Sequence, residues 1–384
     1  KPVDLEEYEK VRWVAEAKFL RAFQYFDLVR NFGGVPLVIG LKLPSEVVGI
    51  TRATIEQSYE QIERDLKEAI PALPKRSEYA ANDLGRVTEG AAQGLLAKVY
   101  LYQEKYTEAE KLLQELTCRG EFSGNTPEYK LLDNFGDVWS MDHNNSEESL
   151  FEVQTNSDIS YNLGERISVV CGSRNDGGWA WGLPTSHLEK AFKDAGDDER
   201  RKWTIIKHEE AVQGDPDVTS YTVKPEEHKS PRVTRKLYIP VSKRPKPYDA
   251  PHIPLNYRLL RYADVLLMYA EAQVNADGTP NQQSIDIVNQ IRGRAGLAPF
   301  RQTNANAFLK EVWNQRYFDL CYENKMWFDM LRTRKIRDDK SGEYVDFIGY
   351  KTNWGKVYTE TQLLFPIPLS ERQANPNLTQ NQGY

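Results

Sequence analysis

Residues 88–116 read as two helices with almost no chain between them. Thr88 stands where a hydroxyl caps the first, and Ala92, Leu95, Leu96 and Val99 recur at three- and four-residue steps. After the break at Gln103–Lys105 a second set runs from Tyr106 through Ala109, Leu112, Leu113 and Leu116. Small alanines at crossing positions let two helices approach closely, which is the arithmetic of a tetratricopeptide-like pair. Such a pair cannot bury its apolar faces alone. Further pairs must stack on it, and the rest of the chain has to supply them.

The periodicity supplies several. From about residue 5 to 32, Val11, Val14, Ala15, Phe19, Ala22, Phe23, Phe26 and Val29 mark a buried helix face, and Gly33, Gly34 and Pro36 stop it. A second helix spans roughly 52–71 through Ile55, Tyr59, Ile62, Leu66 and Ile70. From Gly120 to about Leu259 the pattern breaks into short apolar clusters between Gly, Pro, Asn and Asp. Ser149–Thr155 and Arg235–Val241 read there as strands. Seven prolines between Pro225 and Pro254 exclude helix and stiffen long loops. Helices resume at Leu259–Asn275, Gln282–Ala295 and Asn306–Leu331. The expected fold is therefore mostly α: a superhelix of four tetratricopeptide-like helix pairs carrying a large loop-rich insertion with a few short strands, not an alternating βαβ protein. The division is one unit, 1–384, with N-terminal helix pairs at 1–119, the insertion at 120–258, and C-terminal helices and tail at 259–384.

Chemistry is conspicuous by what is missing. Five histidines form no HExxH and no i, i+4 pair, and no GxSxG, GxGxxG or GxxxxGK[ST] occurs. Cys118, Cys171 and Cys321 are too sparse for a disulfide framework or a cysteine zinc site. No cofactor is expected; structural calcium stays open at the acid clusters Asp194–Glu199 and Asp215–Asp217, although neither fits the EF-hand loop. Lys plus Arg is 50 against 56 Asp plus Glu, a net charge of −6 that argues against a nucleic-acid partner. The basic stretch Arg232–Lys246 reads as a solvated loop rim. No apolar run approaches the ~20 residues of a membrane-spanning helix. The chain opens at Lys1 without a leader-like segment and enters a helix at once, so a processed or truncated chain is expected.

Six collinear strings then carry a family likeness. They are AEAKFLRAFQYFDLVRNFGGVPLV (15–38), IEQSYEQIERDLKEAIPALP, GRVTEGAAQGLLAKVYLYQEKYTEAEKLL, GLPTSHLEKAF with DDER (182–200), LRYADVLLMYAEAQV with IVNQIRGRAGL, and LLFPIPLSERQANPNLTQNQGY. Together they resemble the SusD/RagB family, the surface nutrient-binding lipoproteins of Bacteroidetes, over essentially all 384 residues. In NQRYFDLCYENKMWFDMLR, Arg316, Trp327, Phe328, Asp329 and Arg332 keep the family pattern, while Gln315, Asn324 and Met326 depart from it. The resemblance implies a further segment of roughly a hundred residues ahead of the first string, beginning at an acylated cysteine.

The resemblance implies a non-enzyme: surface capture of a nutrient glycan, an oligo- or polysaccharide, and delivery to a partner TonB-dependent transporter of the SusC kind. It implies a cell outer membrane location through an N-terminal lipid anchor. A RagB-like peptide binder keeps the fold with another ligand; a glycan hydrolase and a helical-repeat scaffold for protein partners are alternatives from other classes. Most matching residues are packing residues. Phe23, Phe26 and Tyr100 are expected in the core, with Arg21, Arg30 and Arg261 tying helices to carboxylates or carbonyls.

The ligand site is sought in YNLGERISVVCGSRNDGGWAWGLP, residues 161–184. Gly172, Gly177, Gly178 and Gly182 make it a flexible or tightly turned loop, and Trp179 and Trp181 stand in it one residue apart. Tryptophan in such a loop either packs or binds. Trp181, beside the GLPT turn, has an alternative as a plug onto the helices. Arg174, Asn175 and Asp176 offer a fork, an amide and a carboxylate for reading hydroxyls, and Tyr161 and Tyr248 are weaker candidates.

Overall fold

The computed structural model of the chain describes residues 6–118, 128–223, 229–244, 246 and 252–384. Helix α1 (Glu7–Phe32) buries Ala15, Phe19, Ala22, Phe26 and Val29, with Glu7 and Glu9 in its first turn and Arg30 in its last, as the helix dipole favours. Gly33 ends it at φ 73°, and Gly34 follows in a place open only to glycine: an added Cβ would stand 1.9 Å from the carbonyl oxygen of Ala53. Short α2 (Pro44–Val47) precedes α3 (Ile55–Ala69), which packs on α1. Arg21 fastens the two through both oxygens of Asp65, at 2.8 and 2.6 Å. The Thr88 hydroxyl caps α4 (Glu89–Tyr102), which is buried over almost its whole length and packs on α5 (Tyr106–Cys118).

The insertion contributes β1 (Ser149–Val153), α6 (Ile167–Cys171), α7 (Ser186–Asp194), α8 (Asp198–Thr204), β2 (Ile205–Lys207) and β3 (Arg232–Thr234), and closes on β4 (Tyr257–Arg261). β1 pairs antiparallel with β4, so its two ends are zipped at the base, and β2 pairs with β3. Then come α9 (Tyr262–Asp277), α10 (Gln282–Arg294), α11 (Ala305–Asp319), α12 (Met326–Thr333), the hairpin β5 (Lys335–Arg337) and β6 (Tyr344–Asp346), and α13 (Leu369–Ala374). α5 packs on α9, and α9 on α10 and α11. The largest core cluster runs from Ala15 to Val312, so the early and late helices share one interior. Each large apolar side chain buried there contributes ~1.5–3 kcal/mol.

Three expected elements fall elsewhere. Arg235–Val241 is not a strand; the strand is Arg232–Thr234. The chain turns at Arg235 because successive cationic side chains both go inward: Arg235 lies over the Trp203 ring, and the Lys236 ammonium donates to the Asp319 carbonyl and to Glu323. Leu259–Arg261 belongs to β4 rather than to a helix, since only the folded chain brings β1 alongside. The span 306–331 is two helices, not one. Between them Tyr322 and Asn324 take left-handed φ angles of 64° and 57°, which drops Glu323 into a buried cluster.

That cluster joins insertion to helices. The Arg261 guanidinium, fully buried, meets Glu148 at 2.5 Å, Asp319 at 2.6 Å and Glu323 at 2.7 Å. Arg294 reaches Glu148 and Asp319, and Arg200 reaches Asp197 and Asp319. A second group links Asp264 to Lys98 and Arg316, Arg316 to Asp329, and Arg332 to Asp329 and Glu271. Burial alone would raise the carboxyls of Asp319 and Asp264. Arg294, Arg261 and Arg200 around the first, and Lys98 and Arg316 around the second, override it and hold both well below the usual range. The expected ties of Arg21, Arg30 and Arg261 are all present, Arg30 also lying over the rings of Phe26 and Phe328.

Candidate functional site

The glycines of the 161–184 loop make it tight. After α6 the Ser173 hydroxyl accepts from the Asn175 N–H, and Gly177 reverses the chain at φ 76°. Gly172 and Gly178 then touch backbone to backbone: a Cβ on Gly178 would lie 2.4 Å from the Gly172 carbonyl carbon. Three amides pin the next residues to α6 and its end, Trp179 donating to Val169, Ala180 to Gly172 and Trp181 to Val170, at 2.8–2.9 Å. Ala180 adopts φ 59°, a conformation that costs an L-residue roughly 1–2 kcal/mol.

This anchored backbone holds two tryptophans out to solvent. Trp179 is 52% and Trp181 63% exposed, and their rings meet edge to face with centroids 5.9 Å apart. Trp181 therefore plugs nothing. A rigid indole pair of this kind offers a large apolar face that loses little conformational entropy when something lands on it.

The polar candidates divide. Arg174 is exposed beside the turn, and Tyr161 is 67% exposed in the turn begun by Asp158. Asn175 spends its side-chain amide on the Thr222 carbonyl. Asp176 accepts from the Tyr221 hydroxyl at 2.6 Å and pairs with Arg244 at 3.2 Å. Burial, and then the charge of Asp176, push the Tyr221 phenol up, so it remains a donor. Asp176 and Asn175 thus brace the loop against the insertion, where free hydroxyl-reading groups had been expected. Tyr248 lies outside the described residues.

Gly182 and Leu183, the next residues along, form the rim of a cavity of about 570 Å³. That volume falls in the range of small-ligand sites, roughly 300–1,000 Å³. Its walls come from α11, the turn after it, α12 and the β5–β6 hairpin, and include Trp313, Tyr317, Tyr322, Trp327, Tyr344 and Tyr358. Trp313 meets Tyr344 at 5.2 Å, and Trp327 meets Tyr358 at 6.2 Å. Sequence reasoning passed over this cleft. The density of Trp and Tyr between residues 313 and 358 was the available signal, concealed because half of it lay inside a span read as one continuous helix.

The acid clusters are occupied internally. Asp197 pairs with Arg200, Asp198 with Arg201 and Lys202, and Asp215 accepts from the Tyr238 hydroxyl and the Val241 amide. Among the described residues no group of three or more His, Cys, Asp or Glu is placed to hold a metal ion, and no helix is long and apolar enough to cross a membrane.

Comparison with known proteins shows what the chain as a whole is similar to. A profile described as the SusD family matches residues 138–384, and one described as starch-binding associating with outer membrane matches residues 3–101. A SusD-like protein of Bacteroides ovatus is 24% identical over 389 residues, an alignment taking in 91% of this chain and 64% of that protein's length. The starch-binding protein SusD of Bacteroides thetaiotaomicron is 25% identical over 441 residues, covering 98% and 73%. Among solved structures, a SusD superfamily protein from Parabacteroides distasonis superposes with a TM-score of 0.78 at 45% identity, over 100% of this chain and 81% of that one. A laminarin-binding SusD-like protein superposes at 0.80 with 28% identity and the same coverage.

Proposed function

The chain belongs to the SusD family, and from that premise we propose that it captures a glycan, an oligo- or polysaccharide, at the outer surface of the outer membrane without cleaving it. A TonB-dependent transporter is the recipient, and an N-terminal lipid anchor on the full-length protein attaches it to the outer membrane.

The observation that carries this reading is the pair of exposed indoles on a loop fastened by three backbone hydrogen bonds. Sugar rings have apolar C–H faces that stack on tryptophan, while their hydroxyls need polar neighbours at the edge; Arg174, exposed in the same loop, can supply such a group. A pre-formed surface gives affinity without an ordering penalty, and capture calls for no nucleophile or acid–base pair. Relatives described as laminarin-binding and starch-binding make neutral glucans the first probes.

Incubation with a panel of plant, host and microbial glycans tests it. The reading expects at least one glycan retained intact, with Trp179→Ala abolishing retention. Release of shortened products would favour a hydrolase, and retention of peptides alone a peptide-uptake protein. Recovery of a transporter with the full-length protein from detergent extracts tests the partner; repeated failure to recover one counts against it.

A further inference from the structure

The cleft behind Gly182 and Leu183 has aromatic walls, yet its cations are unevenly paired. Arg316 is consumed by Asp264 and Asp329, each at 2.9 Å, and Lys335 by Asp346 at 2.5 Å. Asp339, the acid on the opposite side of the balance, accepts from Asn353 at 2.7 Å and stands 4.0 Å from His187. Two cations are left over.

Arg337 lies over the rings of Tyr317 and Phe318, at 5.2 and 5.7 Å, and its buried Nε has no hydrogen-bond partner within the chain. Among the described residues no carboxylate comes within ion-pair distance of it. Lys325, in the turn between α11 and α12, donates to the Leu259 carbonyl at 2.7 Å and likewise has no carboxylate at contact. The indole Nε1 of Trp313, in the same wall, is another buried donor without a partner. A cavity with an excess of donors and positive charge is complementary to an anion, and aromatic walls are complementary to the ring that carries one.

We propose that this cleft binds an acidic sugar residue, bearing a carboxylate or a sulfate ester, with its anion set against Arg337 and Lys325 and its ring against the aromatic wall. The inference rests on the reading of the chain as a glycan binder and names the chemical class of glycan. The rim residue Gly182 follows Trp181 directly, so one chain of sugars can lie across the indole shelf and turn its acidic residue into the cleft.

Binding should take up a proton. Burial lowers the Lys325 ammonium to about 7, helped by the repulsion of Lys98 and Arg30 and opposed by Asp264 and Glu323. Without ligand the amine is therefore partly neutral near that pH, and an anion beside it restores the charge. Affinity for the acidic sugar then falls as pH rises from about 6 to about 8. A neutral sugar exerts no such pull.

Calorimetric titration with tetragalacturonate, a sulfated galactan tetrasaccharide and a neutral laminarin tetrasaccharide tests this, at both pH values and in buffers of different ionisation heat. At least one acidic ligand should bind about tenfold tighter than the neutral one, the scale of one charge-assisted contact. Preference for the first or second acid assigns carboxylate or sulfate. Arg337→Met should erase the preference while leaving neutral binding unchanged, and Lys325→Met should remove the pH dependence; Arg337→Gln replaces the Met variant if unfolding curves show that it does not fold. Acidic ligands binding no tighter than the neutral one, or a preference that survives loss of Arg337, overturns the inference and leaves glycan capture standing. Failure of every glycan to bind overturns both.

Discussion

Arg261 and Trp179 belong to one chain and are held in opposite ways. The first is fully buried and surrounded by Glu148, Asp319 and Glu323, so three segments far apart in sequence must agree before it is satisfied. The second is half exposed, and its place is set by one backbone hydrogen bond and two glycines that let α6 and the loop touch. Removing part of the ionic cluster leaves charge stranded without water, whereas removing an indole exposes nothing that was hidden. The cluster is about folding, and the loop is free to be about binding.

The widest separation between them should come from Arg261→Met. Three buried carboxylates would lose their central partner, and stability measured by urea unfolding should fall by roughly 3–5 kcal/mol. A loss below about 1 kcal/mol would mean that Arg294 and Lys236 can compensate alone, and the contrast would collapse.

Acid should attack this cluster and the second buried group around Asp264 next. The carboxyls of Asp319 and Asp264 are depressed in the folded state, so their contribution is present above the unfolded value of about 3.9 and is lost as pH falls below it. Unfolding curves should therefore hold level near neutrality and drop steeply below about pH 4, with Asp319→Asn flattening the drop. Equal acid sensitivity in that variant would move the cause elsewhere.

Gly178→Ala probes the loop side. Its Cβ would press on the Gly172 backbone, which cannot give way as a side-chain tip could, so a cost of about 1–3 kcal/mol is expected together with loss of glycan retention. If retention persists, the indoles do not depend on that contact for their position.

These two regions were not equally legible in the sequence. Helices α1, α3, α4 and α5 were readable because Phe19, Ala22, Phe26 and their counterparts repeat at helical steps and end on recognisable glycines and caps. The breaks were not. Leu259 and Leu260 continue the apolar pattern of α9, so nothing local says they are strand; their partner, β1, is more than a hundred residues away. Tyr322 and Asn324 interrupt a helical pattern without glycine or proline, because Glu323 must reach Lys236 and Arg261. In the candidate site the two tryptophans were visible from their glycine-rich setting. The inward commitment of Asp176 to Tyr221 and Arg244 depends on tertiary neighbours that no spacing encodes.

The smallest stability effect is also the sharpest test of the account. The Trp179→Ala, Trp181→Ala double variant should unfold within about 0.5 kcal/mol of the parent, as substitutions on an exposed surface do. Isothermal titration of both proteins with the glycan that the parent retains intact then decides the matter. The account predicts that binding disappears in the double variant while its unfolding curve stays where it was. Binding of undiminished strength by a folded double variant would contradict it.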